Sequence, residues 1–243
     1  QGDQSHGNGF YVAPSINVGH EHLAMFAYIN KQQGQNQQTS NGIEIMPSKY
    51  SRVQAGIDLG FILNKSIYHV NYQHIDTDPT GTPALAMDIN FIKSDRFSIN
   101  GQTPVAGHVV NWRLGVSDAS HGMDNYNLRP NANPMMTRYN TADTTATFGH
   151  LDTTIDARFG QLELGLDYLN TEHNSVITSP DNMMFEVVNF NNVVDETMSL
   201  YTELLSDFKA GQLTVGARLK HHESDAGKVN HHMAMMNMAI GTL

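Results

Sequence analysis

Apolar and polar residues alternate with a period of two through most of this chain, the spacing that sends successive side chains to opposite faces of a β-strand. In "RVQAGIDLGF" the residues Val53, Ala55, Ile57, Leu59 and Phe61 fall on one face, with Arg52, Gln54, Gly56, Asp58 and Gly60 on the other. "QLELGLDYL" repeats the split, Leu162, Leu164, Leu166 and Tyr168 against Gln161, Glu163, Gly165 and Asp167. "QLTVGARLK" does so again, Leu213, Val215, Ala217 and Leu219 against Gln212, Thr214, Gly216, Arg218 and Lys220. Around Trp112 the apolar set is Ala106, Val110, Trp112, Leu114 and Val116, interrupted by His108. Each predicted strand therefore has one apolar and one polar face. A strand in a soluble sandwich shows the same alternation, so the pattern alone leaves the class open.

The connections narrow it. Turn signals near Gly19, at Asn64-Lys65, near Gly101, at Phe159-Gly160 and at Ala210-Gly211 alternate with long polar segments at 32–48, 77–87, 119–142, 173–195 and 225–243. Strict alternation puts every long loop at one end of an up-and-down antiparallel sheet. With strands of about ten residues, this predicts an all-β fold, an antiparallel transmembrane β-barrel of the outer-membrane type with about ten strands in this chain. Its polar faces would line a lumen. The chain opens on the polar "QGDQSHGNG" and stops in "MAMMNMAIGTL" without a closing strand, so residues 1–243 are expected to be a partial barrel domain from the middle of a larger barrel. A complete ten-stranded barrel is the alternative.

Composition then removes several functions. The formal net charge is -10, from 14 basic and 24 acidic residues, which argues against nucleic acid as a partner and is compatible with attracting cations. No apolar run is long enough for a transmembrane helix. Without cysteine the chain can build no disulfide, zinc ribbon or thiol nucleophile. No Ser/His/Asp or paired-carboxylate spacing stands out, so neither an enzyme nor a catalytic cofactor is expected.

The candidate chemistry lies in the 13 methionines and 13 histidines. Met46, Met87, Met123, Met135, Met136, Met183, Met184, Met233, Met235, Met236 and Met238 fall in the long polar segments or at their edges, leaving Met25 and Met198 in strands. His121, His173, His231 and His232 join the loop set. Methionine normally fills apolar cores, so its concentration in polar loops calls for another reason. Thioether sulfur is a soft, uncharged ligand that suits Cu(I), and imidazole serves either copper oxidation state. A rim carrying these side chains would capture copper. Within "SHGMDNYNLRP", His121 and Met123 are the main candidates; Met87, Met135, Met136, Met183, Met184, His231, His232, Met233, Met235, Met236 and Met238 would form a weaker capture surface. Loop packing is the competing reading for the His121–Met123 pair, and a sticky loop for "HHMAMMNM". His69, His74, His108 and His150 read as lumen or girdle residues, and His20 and His22 sit at the opposite end.

Two stretches, "TGTPALAMDI" (Thr80 to Ile89) and "SHGMDNYNLRP" (Ser120 to Pro130), resemble with their spacing the TonB-dependent outer-membrane copper receptors, in which a "TPALPMD"-like loop precedes a "DHxMDNxxLRP"-like loop. "MPSKYSR", "PMMTRYNTADTT", "LGLDYLN" and "LTVGARL" extend the resemblance over most of residues 42 to 224. It implies a 22-stranded barrel filled by an N-terminal plug and energised by the TonB complex, importing a copper ion or copper chelate across the bacterial outer membrane. In that family a Cys and a Met of the plug hold copper together with a His and a Met of the barrel, and the second pair lands on His121 and Met123. Cargo would then pass from thioether to thioether down the lumen. The sequence departs from the pattern in lacking cysteine, in Ser120 where an acid is usual, and in Ala86 in place of proline. A small porin or a metal-sequestering surface protein without active transport is the alternative function.

Overall fold

The computed structural model describes residues 8–129 and 136–227. In chain order its strands are β1 (Gly9–Val12), β2 (Ser15–His20), β3 (Leu23–Gly34), β4 (Gln37–Gln38), β5 (Glu44–Ile45), β6 (Tyr50–Leu63), β7 (Ser66–Thr77), β8 (Asp88–Val105), β9 (His108–Asp124), β10 (Tyr139–Ala157), β11 (Gly160–Thr178), β12 (Glu186–Phe208) and β13 (Gly211–Asp225). Eleven of them form one antiparallel meander in the order β1, β3, β6, β7, β8, β9, β10, β11, β12, β13, with β2 also on β3 and β4–β5 forming a small separate pair. Since β1 and β2 pair with the two halves of β3 on either side of Ala13-Pro14, they act as one interrupted strand. The sheet therefore runs ten strands wide, as the alternation of the sequence predicts.

The register sorts the side chains into rows. Leu23, Phe61, Tyr68, Gly101, Trp112, Leu151, Leu166, Leu200 and Leu219 stand opposite one another across nine strands. One residue further along each strand, on the other face, the row reads Ala24, Gly60, His69, Asn100, Arg113, His150, Asp167, Ser199 and Lys220. One face of the sheet is thus an apolar belt and the other a polar wall.

This belt covers no core. Among the described residues Val187 is the one buried hydrophobic, whereas Leu114 is 56 %, Leu200 59 % and Leu219 74 % exposed. A soluble chain of this length would bury most of its apolar surface, and a sandwich would do so against a second sheet. Neither happens here. A broad apolar band on an antiparallel sheet, backed by a polar face, is the arrangement of a barrel whose outside meets lipid.

Phe61, Tyr68 and Trp112 mark one edge of the band. The Phe61 and Tyr68 rings stack at 5.1 Å, Tyr68 and Trp112 meet at 5.9 Å, and the Trp112 indole N–H donates to Thr103 Oγ1 at 3.2 Å. Amphipathic rings of this kind settle where hydrocarbon gives way to water. Trp112 also explains Gly101. A Cβ there would come within 2.8 Å of the indole, so Gly101 is a gap for the ring inside β8, and the turn expected near it lies instead at Ala106-Gly107, both with positive φ. Likewise the first tight turn is at Glu21-His22 rather than Gly19. Those at Asn64-Lys65, 158–159 and 209–210 match or adjoin the sequence signals.

The long connections do share the opposite end, but they are shorter than the sequence suggests. Those that follow β9 and β11 span only 125–138 and 179–185. β10, with 19 residues, reaches roughly 60 Å, far more than a band of about 25 Å requires. Beyond the band the alternation inverts: the row His74, Asp95, Asp118, Thr145 and Glu172 is polar on the face that is apolar lower down. His121, Met123 and His173 consequently lie in strands β9 and β11, not in loops.

Candidate metal-binding site

At the long-connection end three polar residues of "HGMDNYNLR" hold the backbone. Asp124, 1 % exposed, accepts hydrogen bonds from the amides of Tyr126 (3.1 Å) and Asn127 (2.7 Å) and from Asn90 Nδ2 (2.8 Å). Its carboxylate thereby turns the chain out of β9 and fixes Asn90 at the irregularity between Ile89 and Phe91. Asn125 Nδ2 donates to the Met136 carbonyl (2.9 Å), and its Oδ1 accepts from the Arg138 amide (2.8 Å), closing the connection onto β10.

Arg129 reaches back across 41 positions. Its Nε donates to Asp88 Oδ2 at 2.7 Å and its Nη2 to Asp88 Oδ1 at 2.6 Å, while Nη1 and Nη2 also donate to the carbonyls of Leu85 (2.8 Å) and Thr82 (3.3 Å). The Thr82 amide adds a bond to Asp88 Oδ1 at 2.7 Å. Burial alone would push the Asp88 carboxyl up, yet the Arg129 guanidinium and the Thr82 donors outweigh it and hold the group below the usual carboxylate range. This clamp ties "TPALAMD" to "NLR". "MPSKYSR" joins the same assembly through Gly81, whose amide donates to the Lys49 carbonyl at 2.7 Å and whose Cα lies against Pro47.

What remains of the motif is His121 and Met123. Their positions, eight and ten residues beyond Arg113 on β9, place both on the polar face. His121 stands opposite Ile92 and Ala142, and Met123 opposite Ile89 and Asn140. Neither side chain takes part in a hydrogen bond with another described residue, and both are half-buried. Gly122 between them is required by the other face, where a Cβ would come within 2.5 Å of the Phe91 ring and 2.9 Å of Tyr139 Oη. The His-Gly-Met order therefore lets two rings cover the strand on one side while imidazole and thioether stand next to each other on the other.

The remaining candidates gather less tightly. Met87 is half-buried immediately before β8, two residues from Ile89, the partner of Met123. Met136 is 60 % exposed, and Met183 and Met184, at 98 % and 91 %, top the β11–β12 hairpin. That hairpin is docked to the Met136 segment: Thr137 bonds Ser179 (3.1 Å) and Asp181, and the Arg138 guanidinium lies 3.9 Å over the Phe185 ring. Met135, His231, His232, Met233, Met235, Met236 and Met238 lie outside the described residues. Met25 and Met198 fall in the apolar rows, opposite Leu59 and Tyr168. A run of thioethers down the polar face is thus not found among the described residues. Below Met123 that face carries imidazoles and carboxylates, such as His150, which meets Asp167 at 2.7 Å and Asp152 at 2.8 Å.

Among the described residues no three His, Asp or Glu side chains converge as a metal-holding group. Sequence reasoning missed the Arg129–Asp88 clamp; its signal was a charged residue of opposite sign in each of the two recognised stretches.

No protein-family model matches the chain, and no curated protein does. Among solved structures, one described as the copper transporter OprC is similar, with a TM-score of 0.74 and 18 % sequence identity over 93 % of this chain and 37 % of that one. The likeness establishes the fold: this chain has the architecture of a stretch of an outer-membrane transporter barrel, and it spans little more than a third of the length of that protein.

Proposed function

We propose that this chain is part of the barrel of a TonB-dependent outer-membrane receptor that imports copper, as an ion or a chelate, and that His121 and Met123 are its barrel-side ligands. One observation carries the reading. Of the chemistry-bearing residues in "HGMDNYNLR", Asp124, Asn125 and Arg129 are committed to holding the backbone, whereas His121 and Met123 have no hydrogen-bond partner among the described residues on the face that would line the lumen. A soft sulfur and an imidazole spared from structural duty suit Cu(I) and poorly suit hard cations.

Met87, Met136, Met183 and Met184 would act as a weaker capture surface around the mouth, together with the methionines and histidines outside the described residues. The open edges of the described sheet support a larger barrel, because unpaired strand edges in lipid cost several kcal/mol per unsatisfied group, of order. The copper named for the structural neighbour is consistent with this reading. Below Met123 the lumen wall would pass the metal to nitrogen and oxygen donors instead of further thioethers.

The test is Cu(I) titration of the full-length receptor, wild type against His121→Ala/Met123→Ala. Loss of tight Cu(I) binding with Zn(II) binding unaltered is the expected outcome. Unchanged Cu(I) binding would assign the pair to strand packing.

A further inference from the structure

The carboxylates around the middle of the polar wall are matched. Asp58 meets His69 at 3.2 Å, Asp152 accepts from Asn111 at 2.7 Å and meets His150, Asp167 takes both His150 and Arg218 (2.6 Å), and Glu163 accepts from Tyr201 at 3.0 Å. Arg96 on β8 and Arg113 on β9 stand close together among the charged side chains of this wall that have no such partner, Arg52, Lys220 and Glu203 being others. Among the described residues neither forms an ion pair or a hydrogen bond, and both are exposed on the polar face, Arg96 opposite Gln73 and Ser117 and Arg113 opposite Asn100 and His150. Arg96 is instead supported from beneath, with its guanidinium 5.0 Å over the Phe148 ring, which lies flat on Gly115 where a Cβ would come within 2.3 Å of it. Stacking of this kind fixes the guanidinium plane and leaves its N–H edge free.

The two arginines border the same hollows. A cavity of about 280 Å³ is lined by both of them with Asn71, Gln73, Asn100 and Asp58, and it adjoins one of about 860 Å³ that both also line. Arg113 stands level with Asn100, four positions along β8 from Arg96, so their backbones are roughly 14 Å apart and their long side chains can approach one ligand from its two ends. The smaller cavity's other lining groups include three amides and the hydroxyls of Tyr28 and Ser98, which can donate to an anion. The carboxylate of the smaller cavity, Asp58, is already engaged by His69 and by Asn71 at 3.5 Å, and those of the larger one, Asp152 and Asp167, by Asn111, His150 and Arg218.

The geometry points to an anion site in the lumen: Arg96 and Arg113 clamp a small polycarboxylate of about the size and charge of citrate, each guanidinium taking one carboxylate in a forked pair of hydrogen bonds while Gln73 and Asn100 bind the ligand between them. With the neighbouring carboxylates already paired, these are two unanswered positive charges in a protein of formal charge -10, and their separation selects anions bearing separated negative groups. The inference is independent of copper at His121 and Met123, since it requires no metal.

Citrate is titrated calorimetrically into the metal-free full-length receptor in detergent at low salt, with wild type, Arg96→Gln/Arg113→Gln, Arg96→Lys/Arg113→Lys and, in a distant turn, Lys209→Gln. At least a tenfold loss of affinity is expected in the Gln pair, a smaller loss in the Lys pair, which keeps charge without the fork, and no change for Lys209→Gln. Absence of citrate binding by wild type, or equal affinity in the Gln pair, overturns the assignment. Should the Gln pair fail to show the heat-modifiable migration of a folded barrel, the Lys pair decides, and affinity equal to wild type there also overturns it. Cu(I) titration of the same variants should be unaltered, so failure of the anion site and failure of the copper reading are told apart.

Discussion

Arg129 and Asp88 form a two-pronged ion pair, Nε to Oδ2 and Nη2 to Oδ1, with Asp88 1 % and Arg129 21 % exposed. It joins the start of β8 to the connection after β9. Both Asp88 and Asp124 are buried partners in the same row, and both are answered by donors from the connections around them. The candidate ligands therefore sit on a strand end that is stiffened from both sides.

Replacing Arg129 by Met should leave the Asp88 carboxylate buried without its counter-charge. A loss of about 3 kcal/mol is expected, the low end of the range for breaking a buried pair because the arginine keeps some solvent access. Hydrogen exchange should rise in residues 82–88 and at 124–129 while the belt strands stay protected. Uniform protection in the variant would show that the clamp contributes little.

The same pair sets an acid limit. Because the Asp88 carboxyl is held below its ordinary value, the clamp's contribution is fully present above the unfolded carboxylate pKa of about 3.9 and fades as pH falls through the folded one. Loop protection at 82–88 should thus be constant from neutral pH down to about 5 and collapse only in stronger acid. Asp88→Asn should abolish that pH dependence.

Metal binding should respond to pH differently. Imidazole must be deprotonated to bind, while thioether has no proton to lose, so Cu(I) affinity in wild type should weaken on acidification. In His121→Met that slope should flatten. An identical slope in both proteins would remove His121 from the ligand set.

Gly122→Val places a branched side chain where the Phe91 ring and Tyr139 Oη already stand. A cost of about 1–3 kcal/mol is expected, with loosening of the top of β9 and weaker Cu(I) binding through displaced ligands. Met123→Leu, by contrast, should remove the sulfur and leave stability within about 1.5 kcal/mol, since the two side chains are close in volume.

On the belt, Leu114→Arg should cost about 2–4 kcal/mol in folding into bilayers, whereas Ser117→Arg, on the polar face of the same strand, should be close to neutral. Equal costs would mean that the two faces do not differ in environment, and a reversed order that they are assigned the wrong way round.

Within the belt the sequence was readable because an apolar surrounding on one face and a polar one on the other force strict alternation, as in Val53 to Phe61 and Leu162 to Tyr168. Above it water reaches both faces, the constraint lapses, and strands such as the one carrying His121 and Met123 look like polar loops. Gly101 misled for a different reason: its sequence signal is that of a turn, but the residue is missing a side chain to make room for an indole on the next strand. The Arg129–Asp88 pair spans 41 positions, and no periodicity reports a contact of that range. Proximity of His121 to Met123 was legible because i and i+2 share a face; their freedom from structural bonds was not, since it depends on where Asp124 and Arg129 spend theirs.

Trp112 is the one tryptophan of the chain and sits with Phe61 and Tyr68 at the tight-turn edge of the band. The chain consequently carries a single tryptophan, separable from its nine tyrosines by excitation at the red edge, at the tight-turn edge of the apolar band. Its emission wavelength, and its quenching by lipids brominated at graded positions along the acyl chain, can follow insertion of the tight-turn end into a bilayer without any added label.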